Sequence, residues 1–395
     1  MIRTTAILHF LKLGLDMHMA RPRHVLLAGA GIAISVSVLC VLLAVPEGLK
    51  RLAANTGSNT IALVLDASKS GDEIESVLST QDVAIVSTLP GISRDAHGKA
   101  RVAPQFLAAS PLRRRDGTRV SVQIRGVTAA TLQLVHDMVG IKLGAPPNSG
   151  VLELFAGEAA ANTFNLAPGD RLKIRDVNWR NTGVFQSHGS LWDSELWADM
   201  SALQQAFNAA SRISVVWVKF DAPNDEAVFA QALENDPRVN RLSVFPQANY
   251  YQGRLKFIAQ YARLAAIAIA ATLGLCAALA ISNALSLSFM ARRRELAVLN
   301  AIGFTNDYLC LYLIVETVLL AAIVAGFILG LESFLIGDMA IETSSGMRAV
   351  AFHLALNGSV ALWAFSYAVV LALLSALGPA WSVTHGPLRH ALQGS

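Results

Sequence analysis

Apolar residues concentrate in four stretches of the chain and thin out in one long block between the first and the second. The run Val25–Val45 is long enough to cross a bilayer, which takes about 20 apolar residues. Pro46-Glu47-Gly48 closes it without the small-residue cleavage pattern of a signal peptide, so it reads as a retained anchor with its N-terminal side in the cytosol. Leu264–Met290, Tyr308–Ile336 and Phe352–Leu377 are the other three spans. Tyr250–Tyr261 is amphipathic and runs straight into the second span, which predicts one continuous helix with a stalk above the membrane. Ala266, Ala270, Gly274, Ala278, Ser282 and Ser286 place a small residue at every fourth position of that span, and Gly326 and Gly330 stand at GxxxG spacing in the third. Such ridges let helices approach closely in lipid.

Between the first two spans the pattern changes to short runs of mixed type. Asn59–Leu65 and Val83–Leu89 read as strands with Asp72–Ser79 as a short helix between them. Ile213–Phe220, Asp225–Glu234 and Val239–Phe245 repeat the strand, helix, strand order. Leu65-Asp66-Ala67 followed by Asp72-Glu73 also echoes Phe220-Asp221-Ala222 followed by Asp225-Glu226. Two βαβ units of this kind can interleave into one sheet with helices on a single face, a split-βαβ arrangement. The intervening region predicts a strand at Arg119–Val127, a short helix capped by Thr128 and ending near Gly140, and a strand at Val151–Phe155. A helix around Gly157–Phe164, a turn at Pro168-Gly169, a strand at Arg171–Val177 and a helix opening at Ser201 complete it.

Charge orients these elements. The stretch Arg292–Phe304, RRRELAVLNAIGF, is a short amphipathic segment between spans, with Leu296, Leu299 and Gly303 at helical spacing and Val298 and Ile302 on the flank. Gly303 suits a helix C-cap, and Asn306 or Asp307 is expected to cap the following helix. Its arginines place it in the cytosol. Residues 1–24 carry Arg3, Lys12, Arg21 and Arg23 against Asp16, with Ile7, Leu8, Leu11 and Leu15 at helical spacing, as in a helix lying on the inner membrane surface. A short outer loop after the third span carries Glu332, Asp338 and Glu342, and the C-terminal Arg389 and His390 return to the cytosol. With 53% hydrophobic and 15% charged residues the composition suits a membrane protein with a soluble part. The net charge of +4 sits at predicted membrane edges and does not indicate nucleic acid.

Few residues are arranged for chemistry. The three cysteines, Cys40, Cys276 and Cys310, lie within or beside apolar runs, so the soluble block relies on no disulfide, and no zinc-ligand spacing occurs. A P-loop requires Gly-Lys-Ser/Thr preceded by a glycine; Gly98-Lys99 is followed by Ala100, with no glycine at position 93. Gly29-Ala30-Gly31 lies inside an apolar run rather than between a strand and a helix, which excludes a dinucleotide loop. Ser187-His188-Gly189 with Asp193 and Glu195 is the densest polar cluster of the soluble block and reads as a solvated loop. Glu316, roughly 12 Å into the third span at 1.5 Å per residue, is the ionisable residue expected to need a protein partner or a proton.

RRRELAVLNAIGF, followed by Glu316 in the next span, resembles the signature of the MacB/FtsX-like permeases of ABC transporters. Pro379-Ala380-Trp381 with Gly386-Pro387-Leu388 and Ala391-Leu392 is similar to that family's closing motif. Ala156-Gly157-Glu158-Ala159-Ala160 and Leu166-Ala167-Pro168-Gly169-Asp170 resemble a phrase of its extracytoplasmic domain. The resemblance implies a membrane protein with four transmembrane α-helices and a large extracytoplasmic α/β domain, paired βαβ plus an inserted β-rich part, between helices 1 and 2. The expected divisions are a cytoplasmic N-terminal helix (1–24), helix 1 (25–46), the MacB-like core domain (47–255) and stalk with helix 2 (256–290). The coupling helix (291–307), helix 3 (308–337), an outer loop (338–350), helix 4 (351–378) and a cytoplasmic tail (379–395) follow.

The same resemblance implies a half-permease of the bacterial inner membrane with both termini cytoplasmic, working with a second copy or homologue, membrane lipids and, in some systems, a periplasmic adaptor. It carries no cofactor of its own; ATP and Mg are expected on a partner cytoplasmic ABC ATPase. Arg293, Glu295, Leu296, Leu299, Ala301, Gly303 and Phe304 are then the ATPase-coupling residues and Glu316 the intramembrane one. The implied activity is export, or mechanical work on a hydrophobic compound, peptide or lipid-linked substrate outside the membrane. The alternative is an FtsX-like signalling relay that controls an extracytoplasmic partner such as a cell-wall hydrolase without transport.

Overall fold

The computed structural model describes residues 22–66, 68, 71–114, 116–336, 339–345 and 348–385. Most of the expected N-terminal helix and the residues Gly386-Pro387-Leu388, Arg389, His390, Ala391 and Leu392 lie outside the described residues. The chain divides into two compact units. One holds the residues up to Glu47, Ala259–Met339 and those from Leu354 onward; the other holds Gly48–Ile258 with Ala340–His353.

In chain order, helix α1 (Pro22–Ala54) leads to β1 (Ile61–Asp66), α2 (Thr80–Val86), β2 (Val102–Arg113), β3 (Arg119–Val127), α3 (Ala129–Leu134) and β4 (Gly140–Gly144). Next come β5 (Glu153–Gly157), α4 (Glu158–Phe164), β6 (Arg171–Ile174), β7 (Val177–Gln186), a 3-10 turn at Leu191–Ser194, β8 (Leu196–Asp199) and α5 (Met200–Ala206). β9 (Val215–Lys219), α6 (Pro223–Asn235) and β10 (Leu242–Pro246) end the soluble block. Its strands form one ten-stranded sheet in the order β10-β1-β9-β2-β3-β8-β5-β7-β4, with β6 paired to β7.

The first four places of that order, with β1 between β10 and β9 and β9 between β1 and β2, are two interleaved βαβ units. Alternation along the strands separates the faces. Ala62, Val64, Val216 and Val218 bury against Val86 of α2 and Phe229 and Leu233 of α6. Ile61, Leu63, Val215 and Trp217 bury on the other side with Trp192 and Tyr251. The paired βαβ layout with helices on one face is therefore present, but its first copy is built from other residues than those expected. Ser79 and Asp82 form a reciprocal capping box, with Ser79 N donating to Asp82 Oδ2 at 2.7 Å, and start a helix where Val83–Leu89 reads as a strand. Asp72–Ser79 is a series of turns, not a helix. The second strand of the copy is β2, whose Pro104 and Pro111 disguise it, since proline removes a ladder donor.

Smaller differences follow the same logic. Arg175 takes φ 55° and turns the chain between β6 and β7, so Arg171–Val177 is a hairpin start rather than one strand. Asp199, not Ser201, caps α5 by accepting from Ser201 N and Ala202 N at 3.1 Å. The segment before Gly140 is helical only over α3, which Thr128 does cap.

Helix α7 (Gln247–Ala291) runs unbroken for 45 residues, as the joined amphipathic and apolar patterns require. A break at Arg292 separates it from α8 (Arg293–Ala301), and α9 (Asn306–Ile336) follows. Strands β11 (Ala340–Ser345) and β12 (Arg348–His353) pair as a hairpin, and α10 (Gly358–His385) ends the described chain. Two expectations change here. Phe352 belongs to β12, and the fourth long helix starts only at Gly358, where Asn357 Oδ1 accepts from Val360 N at 3.0 Å. Pro379-Ala380-Trp381 lies within α10 rather than in a tail. Glu332, expected in the outer loop, is a buried residue of α9.

Among the described residues, four helices are long and apolar enough to cross a membrane: Leu26–Ala54, Gln247–Ala291, Asn306–Ile336 and Gly358–His385. Their shared core takes Ile32, Val36 and Cys40 from α1, Ile281 and Leu285 from α7, Leu313 and Ala321 from α9, and Ala364, Ala368 and Ala372 from α10. The small-residue ridge of α7 is used: Ala266, Ala270 and Ala278 are buried, and a Cβ on Gly274 would collide with the Tyr367 hydroxyl. Among the described residues, a Cβ at Gly326 or Gly330 would meet no atom of another element within 4 Å, so their spacing serves no close helix contact there.

Candidate functional site

Arg292–Phe304, the segment expected to couple to an ATPase, is a short helix held firmly at both ends. Leu296 N donates to Arg292 O at 3.1 Å, making Arg292 the residue from which α8 departs. At the other end Phe304 N donates to Leu299 O at 3.2 Å and Gly303 N to Asn300 O at 3.0 Å, the paired bonds of a Schellman stop. Gly303 takes φ 115° there, a conformation that any Cβ would strain. Asn300 Nδ2 adds bonds to Phe304 O at 3.1 Å and Asn306 Oδ1 at 2.7 Å. The next helix is capped by Thr305, whose carbonyl accepts from Leu309 N at 3.1 Å, and not by Asn306 or Asp307.

The helix has two apolar sides with different roles. Leu296 and Ala297 are buried, and Leu299 and Phe304 pack half-buried on the helix bundle core. Val298 and Ile302 point outward, 54% and 72% exposed, beside exposed Arg294, Glu295, Ala301 and Gly303. Of the residues expected to meet an ATPase, Glu295, Ala301 and Gly303 are therefore on the accessible side and Arg293 is half-buried. Leu296, Leu299 and Phe304 instead anchor the helix to its own bundle. Val298 and Ile302 complete the accessible side. Their one-turn spacing was visible in the sequence, but a helix with apolar residues on both sides does not announce which side is outward.

Glu316 finds its partner in Arg292. Arg292 Nη1 lies 2.7 Å from Glu316 Oε1 and 3.1 Å from Oε2, with both side chains buried. The pair ties the break between α7 and α8 to the first third of the third long helix. Charge-assisted bonds of this length are strong, and a buried carboxylate left without one is costly.

The soluble unit holds a second buried polar assembly, where a solvated loop was expected. Ser187, Ser190, Asp193 and Glu195 are all buried. Asp193 accepts from Ser187 N at 2.6 Å, Ser187 Oγ at 2.7 Å and Gly189 N at 2.8 Å. Burial pushes its carboxyl above the ordinary range although these bonds pull it down. Glu195 is a ligand of Arg125, which is fully buried and donates to it through Nε and Nη2, each at 2.7 Å. No group of three or more His, Cys, Asp or Glu side chains among the described residues is placed to hold a metal ion.

Two family models match the chain. Residues 25–236, more than half of it, match the MacB-like periplasmic core domain, and residues 267–388 match the FtsX-like permease C-terminal domain. The chain belongs to the MacB/FtsX-like permease family. As a member of that family it is a permease component of ABC-type systems, multi-pass in the membrane, with a periplasmic core domain between its first two spans. MacB/FtsX-like permeases are generally not themselves catalytic and typically work with an ATPase partner.

Solved structures similar to this permease include the periplasmic region of MacB from Actinobacillus actinomycetemcomitans, at 16% identity and a TM-score of 0.37, covering 51% of this chain and 94% of that one. The extracellular domain of the noncanonic ABC-type transporter YknZ from Gram-positive bacteria is similar at 12% identity and a TM-score of 0.35, covering 47% and 99%. No curated protein matches the chain.

Proposed function

We propose that this MacB/FtsX-like permease is driven by a separate cytoplasmic ATPase that docks on the outward side of α8, and that it performs mechanical work on a substrate outside the membrane. The exposed pair Val298 and Ile302, on a short helix fixed at both ends, carries this reading. Exposed apolar residues at one-turn spacing, rimmed by Arg294 and Glu295, have the make-up of a small protein contact. The unbroken 45-residue helix α7 supports it further, since it connects the coupling segment to the periplasmic domain in one element. The substrate class is a hydrophobic compound, peptide or lipid-linked molecule. ATP and Mg are held by the ATPase, and a second permease copy or homologue, lipids and a periplasmic adaptor complete the assembly in the bacterial inner membrane, with both termini cytoplasmic.

The test is co-purification from membranes with the candidate ATPase, recording ATP hydrolysis, for wild type, Ile302→Arg and Val298→Arg. Both replacements are at exposed positions, so the permease should fold. Capture of the ATPase is expected to fall at least tenfold and modulation of hydrolysis to disappear. Equal capture by all three proteins would remove α8 as the docking element. Loss of docking without any change in export, alongside loss of an extracytoplasmic hydrolase activity, would favour a signalling relay.

A further inference from the structure

Three residues in the first two turns of α7 hold three consecutive residues of a loop distant in sequence. The Tyr250 hydroxyl donates to Gly71 O at 3.0 Å and accepts from Glu73 N at 3.2 Å. Arg254 Nη2 donates to Asp72 Oδ2 at 2.9 Å, and its Nη1 donates to the Tyr250 hydroxyl at 2.8 Å. The Tyr251 hydroxyl donates to Glu73 Oε1 at 2.6 Å. Positions 250, 251 and 254 share one side of a helix, so the grip is made by a single face.

The grip continues inward. Glu73 Oε2 accepts from Arg125 Nη2 at 3.2 Å, and Arg125 Nη1 donates to Gln105 Oε1 at 2.8 Å. Glu195, the second carboxylate on Arg125, also accepts from Gln123 Nε2 at 2.6 Å and Trp197 Nε1 at 3.1 Å. The Arg125 guanidinium lies over the Trp217 ring, 5.2 Å from its centroid. Glu73 is thus shared: one oxygen is held by the helix and the other by a cation in the middle of the sheet. Tyr251, Glu73, Arg125 and Glu195 are all buried. One guanidinium facing two carboxylates in a dry interior leaves no cheap rearrangement, because any broken contact strands a charge. Burial first, and then the charge of Glu73, lifts the Tyr251 hydroxyl well above its usual range, and the same two causes take Tyr250 to about 12. Both therefore remain hydrogen-bond donors at any physiological pH.

We propose that Tyr250, Tyr251 and Arg254, locked onto Gly71-Asp72-Glu73, make the root of α7 a rigid joint that hands movement of this helix to the sheet through Glu73 and Arg125. These are positioning residues, and the use of the joint rests on α7 acting as a lever under the proposed function. The joint itself is a property of the soluble unit alone, which allows the two ideas to fail separately.

The experiment is amide hydrogen exchange on the full-length protein in lipid nanodiscs, for wild type, Tyr251→Phe and Tyr250→Phe. Tyr251→Phe keeps the buried ring and removes the donor to Glu73. Tyr250→Phe removes the bonds to Gly71 O and Glu73 N and leaves the Arg254–Asp72 and Glu73–Arg125 pairs in place, and so serves if the first variant unfolds the domain. Amides of residues 248–255 and 73–76 are expected to exchange at least tenfold faster in the variants, with β9 amides unchanged. Exchange at the wild-type rate in Tyr250→Phe, and in Tyr251→Phe where it folds, overturns the joint. With the ATPase and a non-hydrolysable ATP analogue added, wild type should show altered exchange in β1, β3 and β9, and the variants should not. Persistence of that response in the variants overturns the joint as a transmitter. Its absence in wild type refutes the lever and leaves the joint to the first measurement.

Discussion

The pairing of Arg292 with Glu316 sets a sharp expectation for single and double replacements. Glu316→Leu or Arg292→Met alone leaves half of a buried pair, which costs about 3–5 kcal/mol in comparable settings. Arg292→Met combined with Glu316→Leu removes both charges and should recover most of the lost stability. Melting of the four proteins in detergent checks this, and additive losses would show that the pair is not coupled. If the double variant folds but no longer couples ATP turnover, the pair belongs to the mechanism and not only to the scaffold. Asp193 supplies a second test. Its folded-state pKa is raised, so its contribution is present below its unfolded value near pH 4 and is lost as pH rises through the folded value. The melting temperature of wild type relative to that of Asp193→Asn should therefore fall with rising pH across the acid range; a constant difference would mean that Asp193 does not titrate differently on folding. The sequence exposed Glu316, because a lone carboxylate in an apolar run is conspicuous. It did not expose Arg292 as its partner, since the two are brought together by a helix break and a return turn that no local spacing encodes.

At the scale of elements, legibility followed the strength of the local signal. The long helices, the short helix α8 and its Gly303 stop were readable because apolar run length and a positive-φ glycine each have one structural answer. Thr80–Val86 was misread because Val83, Ile85 and Val86 favour strands, while the deciding Ser79–Asp82 cap is a two-residue feature. β2 was invisible for the opposite reason: its prolines argue against a strand that its neighbours β9 and β3 impose. The exposed side of α8 was half readable. Its amphipathic period is plain, yet only packing shows that Leu296 and Leu299 face the bundle and leave Val298 and Ile302 exposed. The β11–β12 hairpin was missed because Phe352 sits next to an apolar helix and joins it by composition alone.

For the molecule as a whole, that hairpin is part of the periplasmic unit although two long apolar helices, α7 and α9, separate it in sequence from the rest of the unit. Ala351 N donates to Ser194 Oγ at 3.0 Å, and Phe352 is buried. A Cβ on Gly48 would strike His353 O and come within 2.8 Å of the Phe352 ring. Gly48→Val should therefore dislodge the hairpin and lower the melting temperature of the soluble unit, whereas Gly253→Ala, at an open helix position, should not; equal behaviour of the two would show that the hairpin contributes nothing there. The layout also imposes a timetable on biosynthesis. β1 emerges early but waits for β9 and β10 before its edges are paired, some 150 residues of translation later. Even then the domain lacks its last layer until the ribosome has delivered α8 and a further membrane helix and the hairpin has been exported. A translocon or chaperone that attends this protein must shelter an almost finished domain while the chain crosses the membrane twice more.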